Sequence, residues 1–229
     1  MREPKIELLN CDCMEFMKTA ENGYFDCCIA DPPYGIDYQS ARRTDRNRWK
    51  PKILNDEAPY TEWIKPMFDK MNDGGRLICF YRWDVQESFF EAIIQAGFKL
   101  KSQIVWDKVI HGMGDLNGGF APQHELIIYA TKGKYEFQKN RPKSVYRCAR
   151  VDPEKLIHPN EKPVELIAAI IRNITNIGEN IVDPFGGSFS TAVACYNEGR
   201  GCISTEQHKD YYEAGVKRFE NHKRQLQMF

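Results

Sequence analysis

Short runs dense in apolar and β-branched residues alternate along the chain with segments whose apolar positions recur every three to four residues, so strands and helices take turns. Strands are predicted near Lys5–Asn10, Phe25–Asp31, Arg76–Tyr81, Leu100–Trp106, Glu125–Thr131, Glu179–Asp183 and Gly201–Thr205. Helices are predicted over Met14–Ala20, Thr61–Met71, Val85–Ala96, Pro163–Thr175, Ser190–Asn197 and Tyr211–Gln225. In the fourth helix Ile167, Ile170, Ile171 and Ile174 recur at i, i+3, i+4 and i+7, which marks one face as core. The alternation predicts an α/β fold: a doubly wound, mostly parallel, seven-stranded sheet with helices on both faces. The fourth and fifth strands have no helix between them and are expected to pair antiparallel. The opening MREPKIELLNCD has no apolar h-region, and the longest plain aliphatic run, Leu166–Ile171, is far too short to cross a bilayer, so neither secretion nor membrane insertion is expected.

Composition narrows the picture. With 229 residues, 42% hydrophobic and 28% charged, the chain suits a single domain, 1–229, that buries a core without staples. Its eight cysteines form no C-x-x-C pair and sit mostly in apolar runs, the pattern of reduced, buried thiols in a cytoplasmic protein. Cys11 and Cys13 lack partners at zinc spacing, so no metal is expected. Lys plus Arg and Asp plus Glu both number 32, which argues against a uniformly basic coat protein, yet the balance is segregated. Tyr38–Lys52 holds six bases (Arg42, Arg43, Arg46, Arg48, Lys50, Lys52) against Asp45 alone, and Lys132–Lys155 holds eight bases against three acids. Trp49 and Tyr146 lie among them as candidate stacking residues, so the two segments suit a polyanion.

Three junctions carry candidate chemistry. At the end of the second predicted strand the chain reads Asp31-Pro32-Pro33-Tyr34-Gly35. Two prolines fix φ and withhold their N–H groups, which makes a stiff loop at the carboxyl edge of a sheet, where α/β folds bind ligands. The Asp31 carboxylate and a carbonyl of Pro32 or Pro33 are acceptors, and Tyr34 offers a π-face, a set suited to a planar ring carrying an exocyclic amino group. A second strand-to-helix junction reads Asp183-Pro184-Phe185-Gly186-Gly187-Ser188-Phe189-Ser190-Thr191; its glycines allow close backbone approach and the helix start favours a carboxylate. Glu206, ending the next strand, is placed to accept ribose hydroxyls. The third junction, His158-Pro159-Asn160-Glu161-Lys162-Pro163, opens the striped helix, with Asn160 expected as N-cap and Lys162 as the donor to an anionic ligand tail.

With these blocks in this order, the chain resembles the amino-methyltransferases that act on DNA with S-adenosylmethionine, in the β arrangement, where D-P-P-Y precedes the cofactor block. Asn10–Met14 resembles the family's acidic cofactor-adenine motif, Asp31–Gly35 its catalytic motif, Gly74–Phe80 the strand after it and His124–Lys132 its later H-E strand. His158–Pro163 stands for H-P-T-Q/E-K-P, and Asp183–Thr191 for D-P-F-x-G-S-G-T-T, with Asn160 in place of Thr or Ser and Phe189 in place of Gly. The resemblance implies a Rossmann-like methyltransferase fold with permuted motifs. It also implies methyl transfer from S-adenosylmethionine to N6 of adenine in double-stranded DNA, releasing S-adenosylhomocysteine without a metal.

By that resemblance Asp31, Pro32, Pro33 and Tyr34 are catalytic, and Asp12, Asp31, His158, Asn160, Lys162, Asp183, Phe185, Gly187, Ser188 and Glu206 hold the cofactor. Phe189 is expected to crowd the methionine end. The segment 38–55 reads as a basic loop insertion and 132–157 as a short target-recognition region, with Arg42, Arg43, Arg46, Arg48, Lys139, Arg141, Lys143 and Arg147 as phosphate contacts. Members of the family are often dimeric, so a homodimer is an expectation. Cytosine C5 chemistry needs a cysteine nucleophile, and no proline here is followed by cysteine. Cytosine-N4 transfer uses the same geometry but in the family more often accompanies Ser at the first catalytic position. Two alternatives remain: a nucleic-acid-binding protein in which Phe189 has abolished cofactor use, and methylation of RNA or of a protein side-chain amide, although the related protein-glutamine enzymes usually carry Asn at the first catalytic position.

Overall fold

The structure is a computed structural model that describes residues 3–35, 58–112, 114, 116–138, 140–152, 154, 156–158 and 160–227. Its first half runs β1 (Ile6–Leu9), α1 (Cys13–Thr19), β2 (Phe25–Ala30), α2 (Ile64–Lys70), β3 (Met71–Tyr81), α3 (Gln86–Ala96) and β4 (Lys99–Asp107). The second half runs β5 (His124–Thr131), β6 (Val145–Arg147), α4 (Val164–Ile174), β7 (Asn180–Asp183), α5 (Ser190–Glu198), β8 (Gly201–Thr205) and α6 (Lys209–Gln227). The strands form one sheet of eight in the order β1-β8-β7-β2-β3-β5-β4-β6. The expected seven are all present; the eighth, β6, is a three-residue edge strand parallel to β4, too short and too polar to register as a strand by periodicity.

β2 and β7 sit side by side, but β7 leads through α5 to β8 on one flank, whereas β2 leads to β3 on the other. Right-handed crossovers in opposite directions place their helices on opposite faces and leave a crevice above the paired carboxyl ends. β2 and the second half of β3 are buried nearly throughout, which is why they read as unbroken apolar runs. The isoleucine stripe of α4 is buried as its spacing predicts, and α5 is buried along its first six residues against α4.

β5 is the strand that runs against the rest, pairing antiparallel with both β3 and β4. Its direction matters for the site, because an antiparallel strand brings its first residues, His124 and Glu125, to the edge where its neighbours end. Several boundaries differ from expectation. β3 begins at Met71 rather than Arg76, so the residue expected to end the second helix opens the strand. Helix α2 begins at Ile64 rather than Thr61, and Pro163, not Asn160, occupies the N-cap of α4, with no side-chain cap there. Asn160 instead lies in the preceding loop, its N–H 3.3 Å from His158 Nδ1.

Candidate active site

The stiff loop after β2 is closed locally. The Tyr34 hydroxyl donates to Asp31 Oδ1, and the Pro33 carbonyl accepts the Tyr60 N–H at 3.1 Å. Asp31 Oδ2 receives the Lys162 ammonium at 2.5 Å, so both oxygens of the carboxylate are engaged. Burial pushes the Asp31 carboxyl above the usual carboxylate range although Lys162 pulls it down, and burial with the neighbouring Asp31 charge pushes the Tyr34 phenol up. Burial works against the charge of Lys162 too, but Asp31 and Glu125 outweigh it and hold its pKa above that of an ordinary lysine.

Next to this loop, Asp183 ends β7. Its carboxylate accepts the Phe185 N–H at 2.9 Å, which turns the chain out of the strand, and burial raises its pKa to about 7. Gly187 has φ +52°, and a side chain there would begin 3.3 Å from the His158 ring, so glycine is required both for the turn and for the approach. Glu206, at the end of β8, accepts the N–H groups of Gly187 at 2.9 Å and His208 at 2.6 Å, and burial raises its pKa. Glu161 pins the third loop in place: it accepts the Ile157 N–H at 3.1 Å and pairs with Arg218 of α6 at 2.9 Å. Asp12, predicted as a ligand acid, also N-caps α1 by accepting the Met14 N–H at 2.7 Å.

These junctions open onto one cleft above the β2/β7 pair. Its walls include Asp12, Asp31, Pro32, Pro33, Tyr34, His158, Asn160, Lys162, Asp183, Phe185, Gly187, Ser188 and Glu206, every catalytic and cofactor residue predicted from sequence. They also include Phe80, from the strand motif Gly74–Phe80, and Tyr60, His208 and Tyr211, which no motif or spacing announces. The model of the DNA methylase family matches residues 25–217. The chain belongs to that family. The type II methyltransferase M2.DpnII of Streptococcus pneumoniae is 26% identical over 242 residues, covering 94% of this chain and 90% of its own. The M1.HpyAVI chain in its SAM complex has the same fold, with TM-score 0.72, 23% identity and coverage of 94% of this chain and 100% of its own. So does the cytosine-N4-specific PvuII DNA methyltransferase, with TM-score 0.74, 16% identity and coverage of 95% and 89%.

In this DNA methylase, Phe189 does not do what its bulk suggests. It adopts a left-handed conformation (φ 59°, ψ 34°), but its ring does not line the cleft: it is fully buried behind Gly186 and against α6, edge-on to Tyr212 at 6.0 Å. A Cβ at position 215 would come within 2.6 Å of that ring, so Gly215 in α6 is the complement of Phe189. The expected crowding of the cofactor is thereby corrected, and with it the ground for a methylase that has lost cofactor use. Lys162, expected as the donor to an anionic tail, lines the cleft with its ammonium on Asp31 at 2.5 Å and facing Glu125 at 3.5 Å.

The basic segments divide. Arg42, Arg43, Arg46, Arg48 and Lys139, and Trp49 with them, lie outside the described residues. Arg141, Lys143 and Arg147 are exposed, but Lys132 is an internal brace, donating to the carbonyls of Phe68 at 2.8 Å and Met71 at 2.6 Å. Tyr146 is not a free stacking ring either: it packs on the core, and its hydroxyl accepts from Asn173 at 3.0 Å. All eight cysteines are free thiols, six of them buried. Among the described residues no helix is long and apolar enough to cross a membrane, and no group of three or more His, Cys, Asp or Glu could hold a metal.

Proposed function

We propose that this DNA methylase transfers the methyl group of S-adenosylmethionine to the N6 amino group of adenine in double-stranded DNA. The observation that carries the reading is the juxtaposition of the Asp31-Pro32-Pro33-Tyr34 loop with the acid-rich wall of Asp183 and Glu206 across a single cleft. The cleft suits an adenosyl group: Asp12 and Glu206 are acceptors for a diol, Phe185 presents a ring braced by Trp63 at 5.4 Å, and Gly187 leaves space where a side chain would stand. The cofactor supplies a methyl group already activated on sulfonium, so the residues of the chain need only present a nucleophile in line with it.

Adenine N6 is a poor nucleophile because its lone pair is delocalised into the ring. Asp31 accepts one amino hydrogen and the Pro32 carbonyl the other, Pro33 being engaged by Tyr60; this favours a pyramidal nitrogen and stabilises its developing positive charge. Tyr34 stacks on the base once it has left the duplex, an extrusion that costs a few kcal/mol. Aspartate at the first position supports adenine over cytosine N4. Incubation with methyl-labelled S-adenosylmethionine and unmethylated, PCR-amplified genomic DNA, followed by digestion to nucleosides, is expected to put the label in N6-methyladenine. Label in N4-methylcytosine overturns the base assignment, and absence of label overturns the activity. Asp31→Ala is expected to lose at least about 100-fold in turnover while still binding S-adenosylmethionine.

A further inference from the structure

Four charges run in a line from the floor of the cleft into the sheet. Asp31 meets Lys162 at 2.5 Å, Lys162 faces Glu125 Oε2 at 3.5 Å, and Glu125 Oε1 accepts from Lys108 at 2.5 Å. Glu125 Oε2 is buried and lacks any hydrogen bond, an unusual state for a carboxylate oxygen lying so near an ammonium. Lys162 is itself nearly inaccessible and lies over the Phe80 ring at 5.1 Å. The antiparallel course of β5 is what brings Glu125 to this edge of the sheet.

Tyr34 donates to one oxygen of Asp31 and Lys162 to the other, so an incoming amino group must compete with both for the carboxylate. We propose that Glu125 is a positioning residue for methyl transfer: it draws Lys162 off Asp31 when the target base enters, closing the 3.5 Å gap and freeing Asp31 Oδ2 to accept the amino hydrogen. This rests on the reading of the cleft as a DNA-amine methylation site. The displacement is short, since one ammonium already lies within reach of both carboxylates, and it ends by giving the orphaned oxygen its hydrogen bond. No proton changes owner in the handover. Tyr34 leaves Oδ1 in the same event, because its ring is needed against the base.

The groups facing Asp31 are Lys162 from the loop before α4, Glu125 from β5, Tyr34 from its own loop, Cys79 from β3 and Asp183 from β7. Among them Lys162 and Tyr34 favour its charge and Glu125 opposes it. Glu125→Gln preserves shape and removes the opposing charge, so Lys162 stays on Asp31. The expected results are a single-turnover methylation rate at least tenfold lower, unchanged affinity for S-adenosylmethionine, and an Asp31 titration, followed by carbon-13 NMR of the labelled carboxyl, that moves to lower pH. Lys108→Met removes the cation on the far side of Glu125, so the Asp31 titration is expected to move the opposite way.

Opposite displacements in the two variants are not produced by a packing defect. A slower rate with an unmoved Asp31 titration, or shifts of the same sign in both variants, overturns the proposal. A wild-type chain that labels no DNA while the titrations shift as stated sinks the functional reading and leaves the Glu125 coupling standing. Labelled DNA with a titration indifferent to both substitutions does the reverse.

Discussion

Asp183 shows how one buried carboxyl couples the site to stability. Its pKa in the folded chain, about 7, lies well above the value of about 3.9 expected in the unfolded chain. Between those values the folded state binds the extra proton, so the stability that Asp183 contributes is fully present below pH 4 and is lost as pH rises through about 7. Asp183→Asn keeps an acceptor for the Phe185 N–H and removes the titration. Urea denaturation across pH 4 to 8 is expected to show the wild-type chain losing several kcal/mol relative to the variant over that window, about 1.4 kcal/mol per pH unit at most. Equal slopes for the two proteins would show that Asp183 titrates alike in both states. Phe189 makes a different demand. Phe189→Gly removes a fully buried ring but relieves a left-handed backbone, and the cavity outweighs the strain, for a net loss of about 3 kcal/mol. Since the ring backs Gly186 from behind and does not itself line the cleft, affinity for S-adenosylmethionine is expected to stay within about twofold by isothermal titration. A tenfold weakening would place the ring among the surroundings of the cofactor.

At the level of elements, the apolar runs of β2, β3 and β7 and the isoleucine stripe of α4 were legible because burial on both sides of a strand, or along one helix face, leaves a period in the sequence. The two ligand junctions were legible for another reason: prolines and glycines at strand ends constrain the backbone locally, whatever packs around them. What stayed hidden depends on distant parts of the chain. Nothing local to Lys162 announces that its partner is Asp31, 131 positions away, and the importance of Glu125 follows from the direction of β5. Phe189 misled for the same reason, since its bulk is absorbed by Gly215 in another helix.

Arg76 is a further case of long-range dependence. It lies in the buried half of β3, donates to the Ile174 carbonyl at 2.8 Å, pairs with Glu179 and lies over the Tyr135 ring at 4.8 Å. It thereby ties the sheet to the end of α4 at the edge opposite the cleft. Arg76→Met removes the charged partner of Glu179, leaving it Asn176 alone, and leaves the Ile174 carbonyl only the Tyr135 hydroxyl, which is expected to cost about 3 kcal/mol by denaturant titration. The rate of methyl transfer by the fraction that remains folded is expected to be unchanged. A rate that fell with stability held by added osmolyte would mean that this edge communicates with the site.

Across the whole molecule, the equal numbers of acids and bases conceal a question of direction: which basic side chains stand on the edge of the sheet where the cleft opens. Strand register answers it for the second basic segment. Lys132 and Lys134 follow the end of β5 beside Gly74, at the edge away from the cleft, and Lys134 is paired with Glu136 at 2.7 Å. The chain then climbs the outer flank to β6, where Arg147 lies opposite Asp107 at the carboxyl end of β4, on the cleft side and 73% exposed. Its ion pair with Asp107 is loose, at 3.7 Å, so a phosphate competes with it at little cost. Each phosphate neutralised on duplex DNA contributes about 0.9 to the slope of log affinity against log salt. Arg147→Ala is therefore expected to weaken DNA binding and reduce that slope by about 1, whereas Lys134→Ala leaves the slope unchanged. The measurement is fluorescence anisotropy with a labelled duplex between 50 and 300 mM salt. Equal loss from both substitutions would mean that the duplex wraps around the flank to both edges, and loss from Lys134→Ala alone would put it at the edge of the sheet opposite the cleft.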